Sequence, residues 1–250
     1  MVEILVSEEA GIRYLHFSSD WVQGAMRIAR PFALELDYTK EMMASLLLRP
    51  EANWPRKALL IGLGAASLTK FLHRHRPNSK LTVVEIELAV VSAARQHFKL
   101  PEEDQRLNIV IGDGADYVAG CKKRFDLIMV DGFDDKARTG MLETAPFYAN
   151  CRALLTEQGL LATNLLSRSR NVMRSVERLT EAFDGRALAF PSCDSGNTVA
   201  FAATGDTIDF RLAELRASAR TLNKATGLNL LPTVTRLEGW HACMGGRLVL

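Results

Sequence analysis

Three aspartates, Asp131, Asp134 and Asp135, stand close together just after an apolar run over 125–130. Carboxylates gathered behind a strand make an anionic mouth. A free alkylamine has a pKa near that of lysine, about 10.4, and is almost wholly cationic at neutral pH. A carboxylate can hold that ammonium, orient it and assist its deprotonation, and only the neutral amine has a lone pair for attack. The alternative for these residues is an N-cap of the next helix.

A second group lies upstream. Gly62, Gly64 and Ser67 follow the apolar run Ala58-Leu59-Leu60-Ile61 in a G-x-G-x-x-S spacing, and a helical pattern begins at Ser67. Strand, glycine turn and helix start in succession make a cradle for a nucleoside, because glycines admit close approach and free helix N–H groups face the ligand. The bland alternative is a tight turn. Glu85 ends the next apolar run, about 20 residues on, where an acid can accept both hydroxyls of a ribose; otherwise it is a solvated charge. Asp113, between Gly112 and Gly114, is either an acceptor for an adenine amine or a turn aspartate. Aspartates beside a sulfonium nucleoside suit transfer of a carbon chain from sulfur to nitrogen. The sulfonium is the leaving group, so neither a metal nor a covalent intermediate is needed, and the protein supplies alignment and electrostatics.

These residues need strand tips to hold them. Runs at 58–61, 81–85, 107–111, 125–130 and 159–164 read as strands, alternating with helices over 66–76, 88–98, about 144–155 and 169–183. Such alternation predicts a doubly wound parallel sheet, whose ligands sit outside the C-terminal strand ends. Two later runs, 186–190 and 198–203, flank the turn Asp194-Ser195-Gly196-Asn197 and predict an antiparallel edge hairpin. Short β-type runs at 2–6, 12–17 and 22–28 predict an N-terminal ribbon. One helix is expected from Asp37 or Thr39 to Arg49-Pro50, another over 209–225, and the tail beyond shows no pattern. The fold class is therefore α/β, a Rossmann-like methyltransferase-type sheet, mostly parallel, behind a small β-ribbon. Residues 1–50 form the ribbon and its helix, and residues 51–250 the nucleoside-binding catalytic domain.

The chain has 250 residues, 48% hydrophobic and 24% charged, which supports a sizeable core. A net charge of +2 gives no footprint for nucleic acid or a membrane surface. Cys121, Cys151, Cys193 and Cys243 are scattered without a C-x-x-C pair, which points to reduced thiols in the cytoplasm and to no metal site.

Val22-Gln23, Glu41-Met42, Ile61-Gly62-Leu63-Gly64, Val84-Glu85-Ile86-Glu87, Gly112-Asp113-Gly114, Val130-Asp131 with Asp134, Phe147-Tyr148, and Leu154-Leu155 before Gly159 occur in this order. Together, from about Gln23 to Phe201, they resemble the spermidine synthase (polyamine aminopropyltransferase) family. The resemblance implies decarboxylated S-adenosylmethionine, or S-adenosylmethionine itself, as co-substrate, a small-molecule amine as acceptor, and a homodimer. It implies Gly62, Gly64, Glu85, Asp113 and Gly114 for the nucleoside, with Gln23 joining Glu85 at the ribose. Asp131 would be the catalytic carboxylate, and Asp134 and Asp135 would bind the polyamine. The sequence departs from the family where its glycine loop carries an aspartate for the aminopropyl ammonium; Ala65 stands there. The family's tyrosine lines up with Thr39, with Tyr38 one residue early. The loop Gly132-Phe133-Asp134-Asp135 replaces Ser-Ser-Asp-Pro, and Phe133 is placed to narrow or close an amine channel. Three functions follow: aminopropyl transfer, methyl transfer from intact S-adenosylmethionine, and a non-catalytic nucleoside binder.

Overall fold

In a computed structural model, the structure describes residues 3–17, 22–134, 136, 138–167, 172–192, 196–239 and 243–250. Asp135, Cys193, Asp194 and Ser195, expected at the anionic mouth and the hairpin turn, lie outside the described residues. Three antiparallel strands come first: β1 (Ile4–Glu9), β2 (Ile12–Phe17) and β3 (Val22–Arg27), in that order across the sheet. Two short helices, α1 (Asp37–Met42) and α2 (Ser45–Leu48), take the place of the single helix expected over 37–49. Met43 and Ala44 form a turn between them.

The main body alternates as its pattern predicts. It runs β4 (Lys57–Ile61), α3 (Ser67–His75), β5 (Lys80–Glu85), α4 (Leu88–His97), β6 (Leu107–Ile111), α5 (Gly114–Gly120) and β7 (Phe125–Val130). A 3₁₀ turn (Gly140–Glu143) leads to α6 (Ala145–Leu154), β8 (Leu155–Leu166), α7 (Val172–Ala182), β9 (Ala187–Pro191) and β10 (Asn197–Ala203). The seven strands are ordered β6-β5-β4-β7-β8-β10-β9, with β6 to β8 parallel and β10 and β9 antiparallel at the edge. This is the mixed α/β sheet and edge hairpin predicted.

Burial on both faces explains why the parallel strands read as unbroken apolar runs. Ala58 and Leu60 of β4 enter the core under α3 and α4, while Leu59 and Ile61 enter the core under α5, α6 and α7. Leu127 and Met129, against Ile128 and Val130, divide β7 the same way. Leu15 and Met26 from the N-terminal sheet join the first core.

Three elements depart from expectation. Gly112-Asp113-Gly114 starts α5, because Asp113 Oδ1 accepts from the N–H groups of Ala115 and Asp116 at 2.7 and 3.1 Å and caps it. Asp209–Arg211 forms β11 rather than the first turn of a helix; α8 runs Leu212–Thr226. The tail is folded: α9 (Leu231–Gly239) buries Val234 and Leu237, and β12 (Arg247–Val249) pairs antiparallel with β11. Pro232 sits in the first turn of α9, where its missing N–H costs nothing. No helix among the described residues is long and apolar enough to cross a membrane.

Lys70, in the middle of α3, is 1% exposed, and its Nζ donates to the carbonyl of Phe98 at 2.7 Å, at the end of α4. Burial pushes its ammonium down to about 7. An unfolded lysine titrates near 10.4, so between about pH 7 and 10 the unfolded chain holds a proton that the folded chain lacks. Stability from this group therefore rises with pH through that window. Urea unfolding of wild type and Lys70→Met should show a gap that shifts in favour of the wild type by about 2 kcal/mol between pH 7 and 9; parallel pH profiles would contradict it.

Gly62 is held at φ +92°, and a Cβ there would lie 2.0 Å from the carbonyl oxygen of Asp131. Gly62 and Asp131 are the first residues after paired strands, and each donates its N–H to a neighbouring strand, so the backbone there has little room to give way. Gly62→Ala should lower the unfolding free energy by about 3 kcal/mol, measured by denaturation. A variant with wild-type stability would refute that account of the loop.

Candidate active site

The chain runs outward from β4 through β5 to β6, then returns to β7 on the other side of β4. Ligand clefts of open α/β sheets lie at this switch, outside the carboxyl ends of the strands. A cavity of about 630 Å³ opens there. Gly62, Glu85, Asp113 and Asp131, from four strand tips, and Asn164, inside β8, all line it. Gln23, Gly64, Gly114 and Asp134 line it too, so every proposed site residue except the undescribed Asp135 faces one space.

Register does the gathering. Ile61 pairs with Val84 and Val130, and Val130 pairs with Thr163. The next residues, Gly62, Glu85, Asp131 and Asn164, are therefore neighbours at the rim. The Asp131 N–H donates to the Ile61 carbonyl at 2.9 Å, and the Gly62 N–H to the Val84 carbonyl at 2.9 Å. The N-terminal sheet lies over the glycine loop: a Cβ on Gly24 would stand 2.6 Å from the Cβ of Ala65. Ala65, where the family's aspartate is expected, is thus packed against β3 and 2% exposed.

Asp131 is held from both sides. Tyr38 donates its hydroxyl to Oδ2 at 3.1 Å, and Asn164 Nδ2 donates to Oδ1 at 2.8 Å. Asn197, on β10, donates in turn to Asn164 Oδ1 at 2.7 Å. Burial pushes the Asp131 carboxyl above its usual range, against the opposing hydrogen bonds of Asn164 and Tyr38. Burial, and then the nearby Asp131 charge, raise Tyr38 well above an ordinary phenol, which keeps it a donor. Asp131 caps no helix among the described residues, of which the next helical one is Gly140. Tyr38 thus reaches the site, although the family's tyrosine is expected at Thr39.

The other acids differ in their freedom. Glu85 is 7% exposed and accepts the Leu63 N–H on Oε2 and the Glu87 N–H on Oε1, each at 2.9 Å. Burial raises its carboxyl, and those N–H groups oppose the rise. It ties the glycine loop to β5, and each oxygen keeps a second lone pair for a ligand hydroxyl. Asp113 caps α5 through Oδ1 alone, so its turn role and a role toward a ligand are compatible. Asp134 accepts the Lys136 and Arg138 N–H groups on Oδ1 and the Arg138 guanidinium on Oδ2 at 2.8 Å. Burial pushes Asp134 up, but those hydrogen bonds outweigh it and hold the carboxyl below its usual range. Its first role is to fold its own loop. Phe133 also lines the cavity.

Among the described lining residues, Glu35, Asp37, Glu85, Asp113, Asp131 and Asp134 outnumber one cation, Arg138, which Asp134 binds; Glu35 and Asp37 pair with Arg27 and Lys40 outside the lining. That balance favours a cationic ligand. Among the described residues no group of three or more His, Cys, Asp or Glu side chains is placed to hold a metal ion. Asn164 and Asn197 were not among the residues singled out from sequence. Asn164 interrupts an apolar strand at the level of the other tips, a signal that register makes readable; Asn197 has none.

The spermine/spermidine synthase domain model matches residues 36–182. A polyamine aminopropyltransferase of Neisseria meningitidis serogroup A is 34% identical over 91% of this chain and 86% of its own length. One of Chromobacterium violaceum is 34% identical over all of this chain and 95% of its own. Among solved structures, human methyltransferase-like protein 13 in complex with SAH superposes with a TM-score of 0.69 at 24% identity, over 77% of this chain and 93% of that one. That likeness is one of fold alone. With the model matching more than half of the chain and relatives aligned along nearly all of it, this chain belongs to the spermine/spermidine synthase family.

Proposed function

We propose that this chain transfers an aminopropyl group from decarboxylated S-adenosylmethionine to a small-molecule amine, with Asp131 as the base. The observation that carries this is a desolvated carboxylate, held by two neutral donors, beside a glycine cradle in an anionic cavity. Its relatives are named for the same transfer. The glycine turn is packed tightly against its own fold: side chains on Gly62 or Gly64 would run into backbone, and one on Gly114 into Ile61, while the cavity beside them is left for a nucleoside. Glu85 and Gln23 would take the ribose and Asp113 the adenine. In the same reading residues 1–50 cover the site and residues 51–250 hold the nucleoside.

The donor brings its own leaving group, a sulfonium. The amine nitrogen forms a bond to the aminopropyl carbon while the carbon–sulfur bond breaks, and the thioether departs with that electron pair. Asp131 accepts the proton that the nitrogen releases. Tyr38 and Asn164 fix the carboxylate so that its remaining lone pairs face the cavity. Burial sets the Asp131 carboxyl above its usual range, which makes its carboxylate a stronger base than that of an exposed aspartate. The anionic wall gathers the ammonium form of the acceptor.

Ala65 supports methyl transfer from intact S-adenosylmethionine as a second reading, because the acid expected for the aminopropyl ammonium is absent. Turnover and calorimetry with each donor and putrescine decide. Aminopropyl transfer predicts tighter binding of the decarboxylated donor and formation of spermidine; preference for the carboxylated donor favours methyl transfer. Asp131→Asn should lower kcat by at least about 100-fold while donor Kd stays within about threefold, since Asp131 does not hold the nucleoside. Unchanged turnover in Asp131→Asn would reject the assignment of the base.

A further inference from the structure

We infer that Arg236 is a positioning residue for the Asp131 carboxylate, acting from α9 on both groups that hydrogen-bond to it. The inference rests on Asp131 being the base. Arg236 does not line the Asp131 cavity. Its Nη1 donates to Oε1 of Glu41, which is 2% exposed, and its Nη2 donates to the carbonyl of Pro191. Its guanidinium lies over the Phe190 ring, 5.8 Å from the centroid.

Each contact leads to one arm of the Asp131 clamp. Glu41 stands three residues after Tyr38 on α1, on an adjoining part of the helix surface. α1 has six residues and no side-chain bond at its N-cap, so tertiary contacts hold it: Met42 packs in the core and Glu41 pairs with Arg236. The Glu41 ion pair anchors the helix that carries the Tyr38 hydroxyl. Pro191 pairs with Thr198 across β9 and β10. Asn197 precedes Thr198, accepts the Ser192 N–H at 2.7 Å, and donates to Asn164. One planar fork thus spans the helix bearing Tyr38 and the hairpin bearing Asn197. Lysine, a single point charge, cannot reproduce that span.

The test compares pH profiles of kcat at saturating donor and putrescine. Arg236→Lys keeps a cation for Glu41 but loses the fork. Glu41→Gln/Arg236→Met removes both charges and leaves no lone buried carboxylate, so it serves if the first variant does not fold. Hydrogen bonds from Tyr38 and Asn164 hold the Asp131 carboxyl down. Loosening them raises it, and the acid limb of kcat moves to higher pH. Tyr14, Glu35, Asp37, Glu85, Asp113, Asp134 and Arg138, which share the cavity, are common to all variants and drop out of the comparison.

The expected result is an upward shift of about half a pH unit or more, a fall in kcat of about tenfold, and unchanged donor Kd. Tyr38→Phe should move the limb the same way, and Tyr38→Phe/Arg236→Lys by less than the sum. A wild-type limb in the folded Arg236 variants, or full additivity with Tyr38→Phe, overturns the inference. Asp131→Asn separates the two levels: if it is inactive while Arg236 variants keep the wild-type limb, only the positioning role fails. If Asp131→Asn keeps full turnover, the base assignment fails and this role with it.

Discussion

The parallel pairing of β4 with β7 at Ile61 and Val130 is the constraint on which the site depends. It sets Gly62 against the Asp131 backbone so closely that no side chain fits between them. A one-residue slip would exchange the two faces of β7, sending Met129 and Val130 into the wrong cores and Asp131 away from the cleft. With both faces apolar, side-chain fit in the two cores opposes that slip. The precision of the strand tips is therefore a by-product of core packing. Glu85 adds a second tie by holding the Leu63 N–H, so the glycine loop is anchored to β5 as well as pressed on β7.

Asp131 is a buried carboxylate whose hydrogen-bond partners, Tyr38 and Asn164, are both neutral. Neutral donors stabilise the anion without cancelling its charge, whereas an arginine would have done both. As a carboxylate the group keeps its full charge toward an ammonium. Asp134 shows the contrast: bound to Arg138 and to its own loop, it is held well ionised and is a poorer base. Two nearby aspartates are thus driven in opposite directions by burial and by pairing.

Most strands were readable because burial on both faces forces continuous apolar runs, as in Ala58–Ile61 and Phe125–Val130. α5 was not, because Gly112-Asp113-Gly114 has turn composition and the capping role of Asp113 declares itself only once Ala115 and Asp116 present their N–H groups. α9 escaped notice because Leu230, Val234 and Leu237 make one short stripe beside Pro232, and its stability comes from the core it joins. The break between α1 and α2 lies in a uniformly apolar stretch, Met42 to Leu48, where periodicity says nothing about a turn.

By itself, the sequence determined the strands of the main sheet, the cradle at Gly62, and the acids Glu85, Asp113 and Asp131 at successive strand ends. Those are local matters of burial, glycine placement and polar termination. The partners of Asp131 were decided only by the tertiary structure. Tyr38, Asn164 and Asn197 come from a short helix, a parallel strand and an antiparallel strand that are distant along the chain. Side-chain reach depends on how those elements pack, and spacing along one chain carries no record of it.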